Sequence, residues 1–174
     1  GRDVAGKTVA IIGDSTFMHS GITGLIDIIY NKGTSTVIIL DNSITGMTGH
    51  QDNPTTGKTL KGEATKQVDL EMLCKACGVE RITVADPFDV DNFEKIVKAE
   101  IAAEEPSVII AQRPCALLKS VKLTGLAKID NEKCKKCKMC MKIGCPALSF
   151  RDGQVLVDDT LCNGCGLCMN VCKF

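Results

Sequence analysis

TVIILD, at residues 36–41, is an unbroken apolar run that stops abruptly at a polar and glycine-rich stretch, NSITGMTGH (42–50). Runs of the same kind occur as TVAIIG (8–13), RITVAD (81–86) and SVIIAQ (107–112). Strands that read as continuous apolar runs are typical of a parallel sheet buried on both faces. The sequence therefore predicts four parallel strands at these positions.

Helical patterns separate the predicted strands, near Gly21–Asn31, Asp69–Cys77 and Asp89–Glu104. Such alternation indicates an α/β fold in which helices cover a mostly parallel sheet. Residues 43–66 break the pattern, because they are rich in Gly, Thr, Asn and Pro and too numerous for a simple connector. Long loops after parallel strands commonly carry function, so we expect part of a site there.

The composition changes towards the C-terminus, where cysteine and lysine become frequent. IDNEKCKKCKMC (129–140) aligns with VDDTLCNGCGLC (157–168) at a constant offset of 28 residues. A duplication of this size indicates two half-domains, each too small to bury a core alone. We predict an α/β domain over residues 1–115, a linker at 116–126 and a small α+β domain at 127–174.

Eight of the eleven cysteines lie in the last 41 residues, at spacings typical of metal ligands. Each half of the repeat carries three cysteines two residues apart and a fourth further on. Three thiolates at this spacing wrap one 4Fe–4S cluster, and in the two-cluster arrangement the fourth ligand comes from the other half. The predicted sets are Cys134, Cys137, Cys140 and Cys172 for one cluster, and Cys162, Cys165, Cys168 and Cys145 for the other.

Zinc is the alternative metal, since it also binds four thiolates in CxxC pairs, but two triplets with two single cysteines fit zinc poorly. The pattern resembles a bacterial two-cluster ferredoxin domain over its whole length, with two departures. Four residues rather than three precede Cys145, and Lys173 replaces the usual proline after Cys172. Cys145 is therefore the least regular of the predicted ligands.

The other three cysteines are interpreted as packing residues. Cys74 and Cys77 form a further CxxC, but they lie in the apolar pattern LEMLCKACGV, with a glycine that ends the helix. Free cysteines in such surroundings commonly serve as small buried hydrophobes. Cys115 follows the fourth predicted strand, where we expect packing, although a strand end also suits a place near a site.

Polar triplets end two of the predicted strands, GDS at 13–15 and DNS at 41–43. The carboxyl ends of neighbouring parallel strands meet at the edge where open α/β sheets bind ligands. Asp14 and Asn42 would there offer the hard oxygen ligands that Mg²⁺ prefers. The residues expected to hold anionic phosphates are Ser15 and Thr16, aided by the start of the helix near Gly21.

The spacing GDS, 26 residues, then Asn42 resembles the Gly-Asp-x…Asn signature of thiamine diphosphate enzymes. IGDSTFMHSGITGL (12–25) and VIILDNSITGMTGHQDNP (37–54) are together similar to the thiamine diphosphate domain of 2-oxoacid:ferredoxin oxidoreductases. Within that group the similarity is greatest to the α subunits of indolepyruvate:ferredoxin oxidoreductases, in which this domain precedes a two-cluster ferredoxin domain. The resemblance extends over residues 7–174.

This resemblance implies a cofactor site. Asp14 and Asn42 would be the side-chain ligands of Mg²⁺, and the Ile44 carbonyl its third protein ligand. The residues implied to lie against the diphosphate are Gly13, Ser15 and Thr16, with Thr48 and Gln51 in the loop near the cofactor. His19 and His50 flank the site, where either would orient substrate, move a proton or form a structural hydrogen bond.

A second phosphate motif competes for the same loop. DNPTTGKT (52–59) looks like a P-loop, but Asp52 stands at the first glycine position, where its charge would repel phosphate. No predicted strand precedes it, and the polar LKGEATK follows in place of an apolar helix. We therefore expect no nucleotide site there.

The resemblance implies oxidative decarboxylation of an aryl 2-oxoacid to an acyl-CoA and CO₂, with electrons passed to ferredoxin. The implied cofactors are thiamine diphosphate, Mg²⁺ and two 4Fe–4S clusters. The implied partners are a β subunit, an external ferredoxin, coenzyme A and the 2-oxoacid, in a hetero-oligomer. Two alternatives stay open: the same chemistry on pyruvate or a branched-chain 2-oxoacid, and an electron carrier whose α/β domain is a non-catalytic docking platform.

Charge and hydropathy exclude other classes of function. The 21 basic and 21 acidic residues balance, and no arginine-rich stripe marks a nucleic-acid surface. No apolar run approaches the roughly 18 residues that cross a bilayer, and no signal peptide is evident, so a cytoplasmic location is expected. The chain starts without Met and has no stretch for a second thiamine half-site, so we expect a fragment that is inactive alone.

Overall fold

The computed structural model describes residues 6–123 and 125–174. The chain divides into two compact units after Cys115. The first unit is built on β1 (Val9–Gly13), β2 (Thr36–Asp41), β3 (Arg81–Ala85) and β4 (Ser107–Gln112). Every neighbouring pair is parallel, in the order β1-β2-β4-β3. The predicted α/β class is confirmed, and the predicted strand ends are correct to within one residue.

The connections between the strands contain the helices. The first connection is a continuous helical segment made of α1 (Asp14–Thr16), a π-helical turn (Phe17–Gly21) and α2 (Ile22–Tyr30). The helices of the later connections are α3 (Leu70–Ala76) and α4 (Val90–Ala102). Asp69 caps α3, because its side chain accepts a 2.9 Å hydrogen bond from the Met72 amide.

The first helix begins earlier than the sequence pattern predicts, at Asp14 instead of near Gly21. Gly13 is still extended, with φ −72° and ψ 153°, and the helical turn follows it without a connecting loop. The π-helical turn shifts the apolar spacing, which hides the first turn from a 3.6-residue pattern. The helix therefore starts directly at the carboxyl edge of the sheet.

The core has two parts, one on each face of the sheet. On one face, Phe17 and Leu25 of the first helix pack with Val37, Ile39 and other buried side chains of the strands and α3. On the opposite face, α4 covers a smaller patch with its side chains Phe93, Ile96 and Val97, which pack against Ile38, Ile109 and Ala111. The central strands β2 and β4 therefore carry most of the buried surface.

The expectation that all strands are covered on both faces is wrong for β1. Val9 is 41% exposed and Ile11 is 67% exposed, whereas Ile38, opposite Ile11 on β2, is 6% exposed. The reason lies in the strand order, because β1 is at the edge of the sheet and α4 packs against the middle. An apolar run alone does not distinguish an edge strand from a central one.

The second unit contains β5 (Leu148–Arg151) and β6 (Gln154–Val157), which pair antiparallel, and two short helices. The two residues of the hairpin turn, Asp152 and Gly153, both have positive φ, as a tight hairpin of matching twist requires. The helices are a 3₁₀ turn, Met139–Ile143, and α5, Leu167–Asn170. This is a small α+β unit.

Residues 43–69 contain neither helix nor extended strand among the described residues, and only the isolated bridges Thr45–Gln51 and Lys58–Ala64 order them. In the parts of the chain that the structure describes, no helix is both long and apolar enough to cross a membrane.

Candidate functional site

Asp14 is the more deeply buried of two aspartates at the carboxyl edge of the sheet, the other being Asp41. Asp14 follows β1 directly, opens the first helix and is 2% exposed. Its carboxylate Oδ2 accepts hydrogen bonds from Asn53 Nδ2 at 3.4 Å and from Thr55 Oγ1 at 3.2 Å. The long loop after β2 therefore folds back onto the end of β1.

The surroundings of Asp14 disfavour its charge. Burial raises the pKa of the Asp14 carboxyl above its ordinary value, and the nearby Asp41 carboxylate raises it further, against the hydrogen bonds from Ser15, Asn53 and Thr55. Within the described residues, Asp14 makes no ion pair. A buried carboxylate beside a second one, held by neutral donors, suits a divalent cation, whose charge would offset the burial.

The register of β1 and β2 places Asn42 at the same edge of the sheet as Asp14. Gly13 is opposite Leu40, so the residues that follow each strand start at the same level of the edge. Asn42 Oδ1 accepts a 3.1 Å hydrogen bond from the Ile44 amide, which bends the chain away from β2. An amide oxygen keeps a second lone pair beyond that bond, so Asn42 retains the capacity to bind a cation.

Asp41, the last residue of β2, is held by hydrogen bonds to Ser43 and to the neighbouring strand β4. Its Oδ1 accepts a 3.0 Å hydrogen bond from the Ser43 amide, and its Oδ2 accepts one of 2.9 Å from Gln112 Nε2 at the end of β4. The backbone carbonyl of Asn42 accepts a 2.8 Å bond from the Cys115 amide. Cys115 therefore borders the edge of the sheet, although its thiol takes no part in these bonds.

A cavity of about 550 Å³ opens beside Asp14, between the first helix and the long loop. Four of the predicted residues line it: Ser15, His19, Thr48 and Gln51. The loop side is fixed by paired backbone bonds between Thr45 and Gln51, of 2.9 and 3.2 Å, and by the Thr48 hydroxyl, which donates to Gln51 Oε1 at 2.7 Å. The structure thus brings these side chains together around one space.

The remaining predicted residues of this site lie outside the lining of that cavity. They are Gly13, Asp14, Thr16, Asn42, Ile44 and His50. His50 is exposed and has φ +63°, a left-handed conformation that few residues other than glycine adopt. His19 lies on the π-helical turn and faces the cavity, so the two histidines differ in their relation to the site.

The first predicted set of cysteines surrounds a cavity of about 280 Å³ in the second unit. Burial raises the pKa of the Cys140 thiol, a backbone hydrogen bond opposes that rise, and the neighbours Cys137, Cys172 and Cys134 raise the pKa further. All four line the cavity. Cys172 therefore lies with the first run of cysteines, although it belongs to the second run in sequence.

The second predicted set shows the same relation. Burial raises the pKa of the Cys168 thiol, followed by the effects of Cys165, Cys145 and Cys162. Cys145, which has the irregular spacing, thus lies beside the second run. None of the cysteines in the described residues forms a disulfide. Within the described residues, no three Cys, His, Asp or Glu side chains converge as they would around a single metal ion.

Comparison with known proteins assigns the first unit to a protein family. Residues 2–111 match the family model described as thiamine pyrophosphate enzyme, C-terminal TPP binding domain. The chain belongs to the thiamine pyrophosphate enzymes. Thiamine pyrophosphate is the same cofactor as thiamine diphosphate. Residues 155–174 match a second model, the 4Fe-4S binding domain, which contains the second run of cysteines.

Relatives of this thiamine pyrophosphate enzyme match along almost its whole length. It is 41% identical over 171 residues to the indolepyruvate oxidoreductase subunit IorA of Archaeoglobus fulgidus, and 37% identical over 175 residues to that of Pyrococcus horikoshii. Both matches cover 95% of this chain, which spans 27% of the length of either relative. A stretch of 47 residues is 43% identical to the pyruvate synthase subunit PorD of Methanocaldococcus jannaschii, and covers 25% of this chain and 54% of that subunit.

In this thiamine pyrophosphate enzyme Asn53 and Thr55 contact Asp14, a relation that the sequence did not indicate. They lie in the DNPTTGKT segment (52–59), which makes an unsuitable P-loop and whose first three residues end the stretch that resembles thiamine diphosphate domains. The Asn-Pro pair is a local turn signal, and Asn53 Oδ1 accepts a 2.8 Å bond from the Thr55 amide. Such a signal predicts a turn, but not the distant carboxylate that the turn contacts.

Proposed function

We propose that this chain provides the diphosphate and Mg²⁺ half of a thiamine diphosphate site, joined to the electron-transfer module of a 2-oxoacid:ferredoxin oxidoreductase. The observation that carries the proposal is Asp14, a buried carboxylate without an ion pair in the described chain, held at the edge of the sheet by Asn53 and Thr55. The family match of residues 2–111 supports the identity of the cofactor.

In this proposal Asp14 and Asn42 bind Mg²⁺ through their side chains, and Ile44 binds it through its backbone carbonyl. The diphosphate lies against Gly13, Ser15 and Thr16, close to the start of the first helix, where backbone amides favour an anion. Thr48 and Gln51 line the loop side of the adjacent cavity. Thiamine diphosphate supplies stabilisation of the carbanion left when a 2-oxoacid loses CO₂.

The two histidines differ in position, so we propose different roles for them in the reaction. His19 lines the cavity beside Ser15, so we assign it the orientation of substrate or the movement of a proton. His50 is exposed at the turn of the loop, which does not by itself bring it to the reacting atoms. His50 would reach substrate only if another part of the protein closes over that turn.

The eight cysteines of the second unit would hold two 4Fe–4S clusters in the crossed arrangement. One set is Cys134, Cys137, Cys140 and Cys172, and the other is Cys162, Cys165, Cys168 and Cys145. The pKa relations within each set support this grouping. Each thiolate of a cubane binds its own iron, so the four sulfurs stand further apart than the sulfurs around one zinc ion, which lie about 2.3 Å from the metal.

The substrate proposed for the whole protein is an aryl 2-oxoacid of the indolepyruvate type, converted to an acyl-CoA and CO₂. The names of the Archaeoglobus and Pyrococcus relatives support this choice. Electrons would pass through the clusters to an external ferredoxin, and the protein would act with a β subunit in a cytoplasmic hetero-oligomer. We retain residues 1–115, 116–126 and 127–174 as thiamine diphosphate domain, linker and ferredoxin domain.

Calorimetry with thiamine diphosphate and Mg²⁺ tests the cofactor site. Asp14→Asn keeps the shape of the side chain and its place between Asn53 and Thr55, but removes the charge that attracts the cation. We expect Mg²⁺-dependent binding of the cofactor to be lost. Without cofactor, the free energy of unfolding of the variant should be higher by on the order of 1 kcal/mol, because the buried charge is gone.

Asp27→Asn is the control, because Asp27 lies on α2 and its Oδ1 accepts a hydrogen bond from Asn31 at the far end of that helix. Binding should match that of the unaltered chain. If neither the chain nor its complex with the partner subunit binds thiamine diphosphate, the protein is an electron carrier whose first unit serves only for docking.

A further inference from the structure

The two halves of the cysteine repeat differ sharply in charge. Residues 133–142, here called the lysine loop, contain five lysines and no acidic residue, whereas the matching residues 161–170 contain no charged residue. All five lysines are exposed: Lys133, Lys135, Lys136, Lys138 and Lys142. The duplicated fold therefore places a concentrated positive charge beside one set of cysteines and none beside the other.

Two of these lysines occupy backbone positions that suit glycine. Lys136 has φ +54° and Lys138 has φ +60°, and the residues that match them in the second half are Gly164, at +73°, and Gly166, at +81°. Both copies of the loop therefore need a left-handed backbone at these positions. A residue with a Cβ adopts it at a cost that glycine avoids. Strained residues that persist in this way are commonly functional.

Few of the lysine charges are neutralised by neighbours. Lys133 lies 3.5 Å from Asp130, and the Lys138 ammonium lies 3.9 Å from the centre of the Phe150 ring. Within the described residues, Lys135, Lys136 and Lys142 make no ion pair. The surface thus presents unpaired positive charge to the solvent.

The cysteines beside the lysine loop are also the more accessible set. Cys137 and Cys172 are exposed, whereas every cysteine of the second set is partly buried. Electron transfer to an external protein is fastest from the centre that the partner approaches most closely. Charge and exposure therefore favour the same set as the point of exit.

We propose that the lysine loop is the docking surface for an acidic one-electron carrier protein, and that electrons leave the chain through the cysteine set Cys134, Cys137, Cys140 and Cys172. This rests on the proposed function, since it requires clusters at the cysteines. In each encounter one electron passes from the reduced chain to the carrier, whose iron–sulfur centre is reduced by it, and no proton or atom moves. Complementary charge accelerates such an encounter and makes it sensitive to salt.

The test replaces part of the lysine loop with the residues of its own repeat. The variant Lys135→Asn, Lys136→Gly, Lys138→Gly removes three charges and gives both left-handed positions the residue that suits them, so the fold is not put at risk. The control Lys32→Gly, Lys61→Gln, Lys95→Gln also removes three exposed charges. Because Lys32 has φ +52°, this control likewise places a glycine at a left-handed backbone position.

Both variants and the unaltered chain are loaded with iron and sulfide. Binding of an oxidised, acidic plant-type 2Fe–2S ferredoxin is measured over a range of salt concentrations, and each cluster potential is followed by electron paramagnetic resonance. For the loop variant we expect roughly tenfold weaker binding at low salt, a flatter salt dependence and a lower potential at one cluster only. The control should keep the binding and both potentials of the unaltered chain.

Equal binding by the two variants, with clusters present and reducible, would overturn the docking proposal and leave the proposed function standing. The proposal also fails if the potential that changes belongs to the cluster lost on substitution of Cys165. Failure of the unaltered chain to take up iron and sulfide would instead reject the cluster assignment itself, and the docking proposal with it.

Discussion

The Thr55 hydroxyl lies 3.2 Å from the buried Asp14 carboxylate, although the two residues are 41 positions apart in the sequence. The same hydroxyl lies 2.6 Å from Asn53 Oδ1, so its single proton is shared between an amide oxygen and a carboxylate. The carboxylate is the stronger acceptor once it is ionised. This contact therefore couples the shape of the long loop to the charge of the proposed Mg²⁺ ligand.

We predict that Thr55→Val weakens Mg²⁺-dependent binding of thiamine diphosphate by about tenfold, since it removes the hydroxyl while keeping the side-chain volume. Thr55→Ser retains the hydroxyl and should bind almost as the unaltered chain does. Thr65→Val is the matched control on the same loop, because Thr65 is exposed and, within the described residues, only its backbone amide forms a hydrogen bond, to the Gly57 carbonyl. Titration calorimetry of the three variants checks the prediction, and equal loss in Thr55→Ser would contradict it.

We predict that replacing two glycines of the first helical segment, Gly21 and Gly24, by alanine has opposite effects on the stability of the first unit. A Cβ at Gly21 would lie 2.6 Å from Ile12 Cδ1 and 3.0 Å from Phe17 Cδ2, whereas a Cβ at Gly24 meets nothing within 4 Å. Gly21→Ala should therefore destabilise the first unit by about 1–2 kcal/mol through overpacking. Gly24→Ala should stabilise it by about 0.5–1 kcal/mol, because alanine favours a helix interior.

Urea denaturation followed by circular dichroism measures both changes. A neutral or stabilising effect of Gly21→Ala would show that the π-helical turn does not press on β1 as closely as the structure indicates. Phe17 is 1% exposed, so it has little room to move aside.

The strands could be predicted from the sequence because burial of β2 and β4 leaves continuous apolar runs, a signal carried by neighbouring residues. Such runs do not reveal strand order, so the exposure of Ile11 on the edge strand β1 could not be foreseen. The spacing of the cysteines also predicts their two sets, and that assignment stays a prediction. The contacts of Asn53 and Thr55 with Asp14 were not, because they depend on how a loop without regular structure folds against a distant strand.

The Cys74 thiol tests the interpretation of Cys74 and Cys77 as packing residues. Cys74 is fully buried, and burial first, with a smaller effect of Cys77, raises its pKa to about 12. Only about one thiol in ten thousand would be ionised at pH 8, and the thiolate is the reactive form. We predict that iodoacetamide at pH 8 leaves Cys74 unmodified in the folded chain and modifies it after denaturation.

Cys77 is the internal control, since it is only partly buried on the same helix end and should react before Cys74. Mass spectrometry of the peptide that contains both residues distinguishes the two sites. Modification of both at equal rates in the folded protein would mean that this CxxC is an accessible thiol pair.

The crossed assignment of cysteines can be decided by two double substitutions. Cys140 has Cys172 among its neighbours, and Cys168 has Cys145. If each such pair serves one cluster, Cys140→Ser with Cys172→Ser removes two ligands from the same cluster and should leave about four irons per chain. Cys140→Ser with Cys145→Ser removes one ligand from each cluster, so both should be lost or converted to forms with fewer irons. Iron and sulfide analysis with electron paramagnetic resonance measures the outcome, and the reverse result would establish that each cysteine run binds its own cluster.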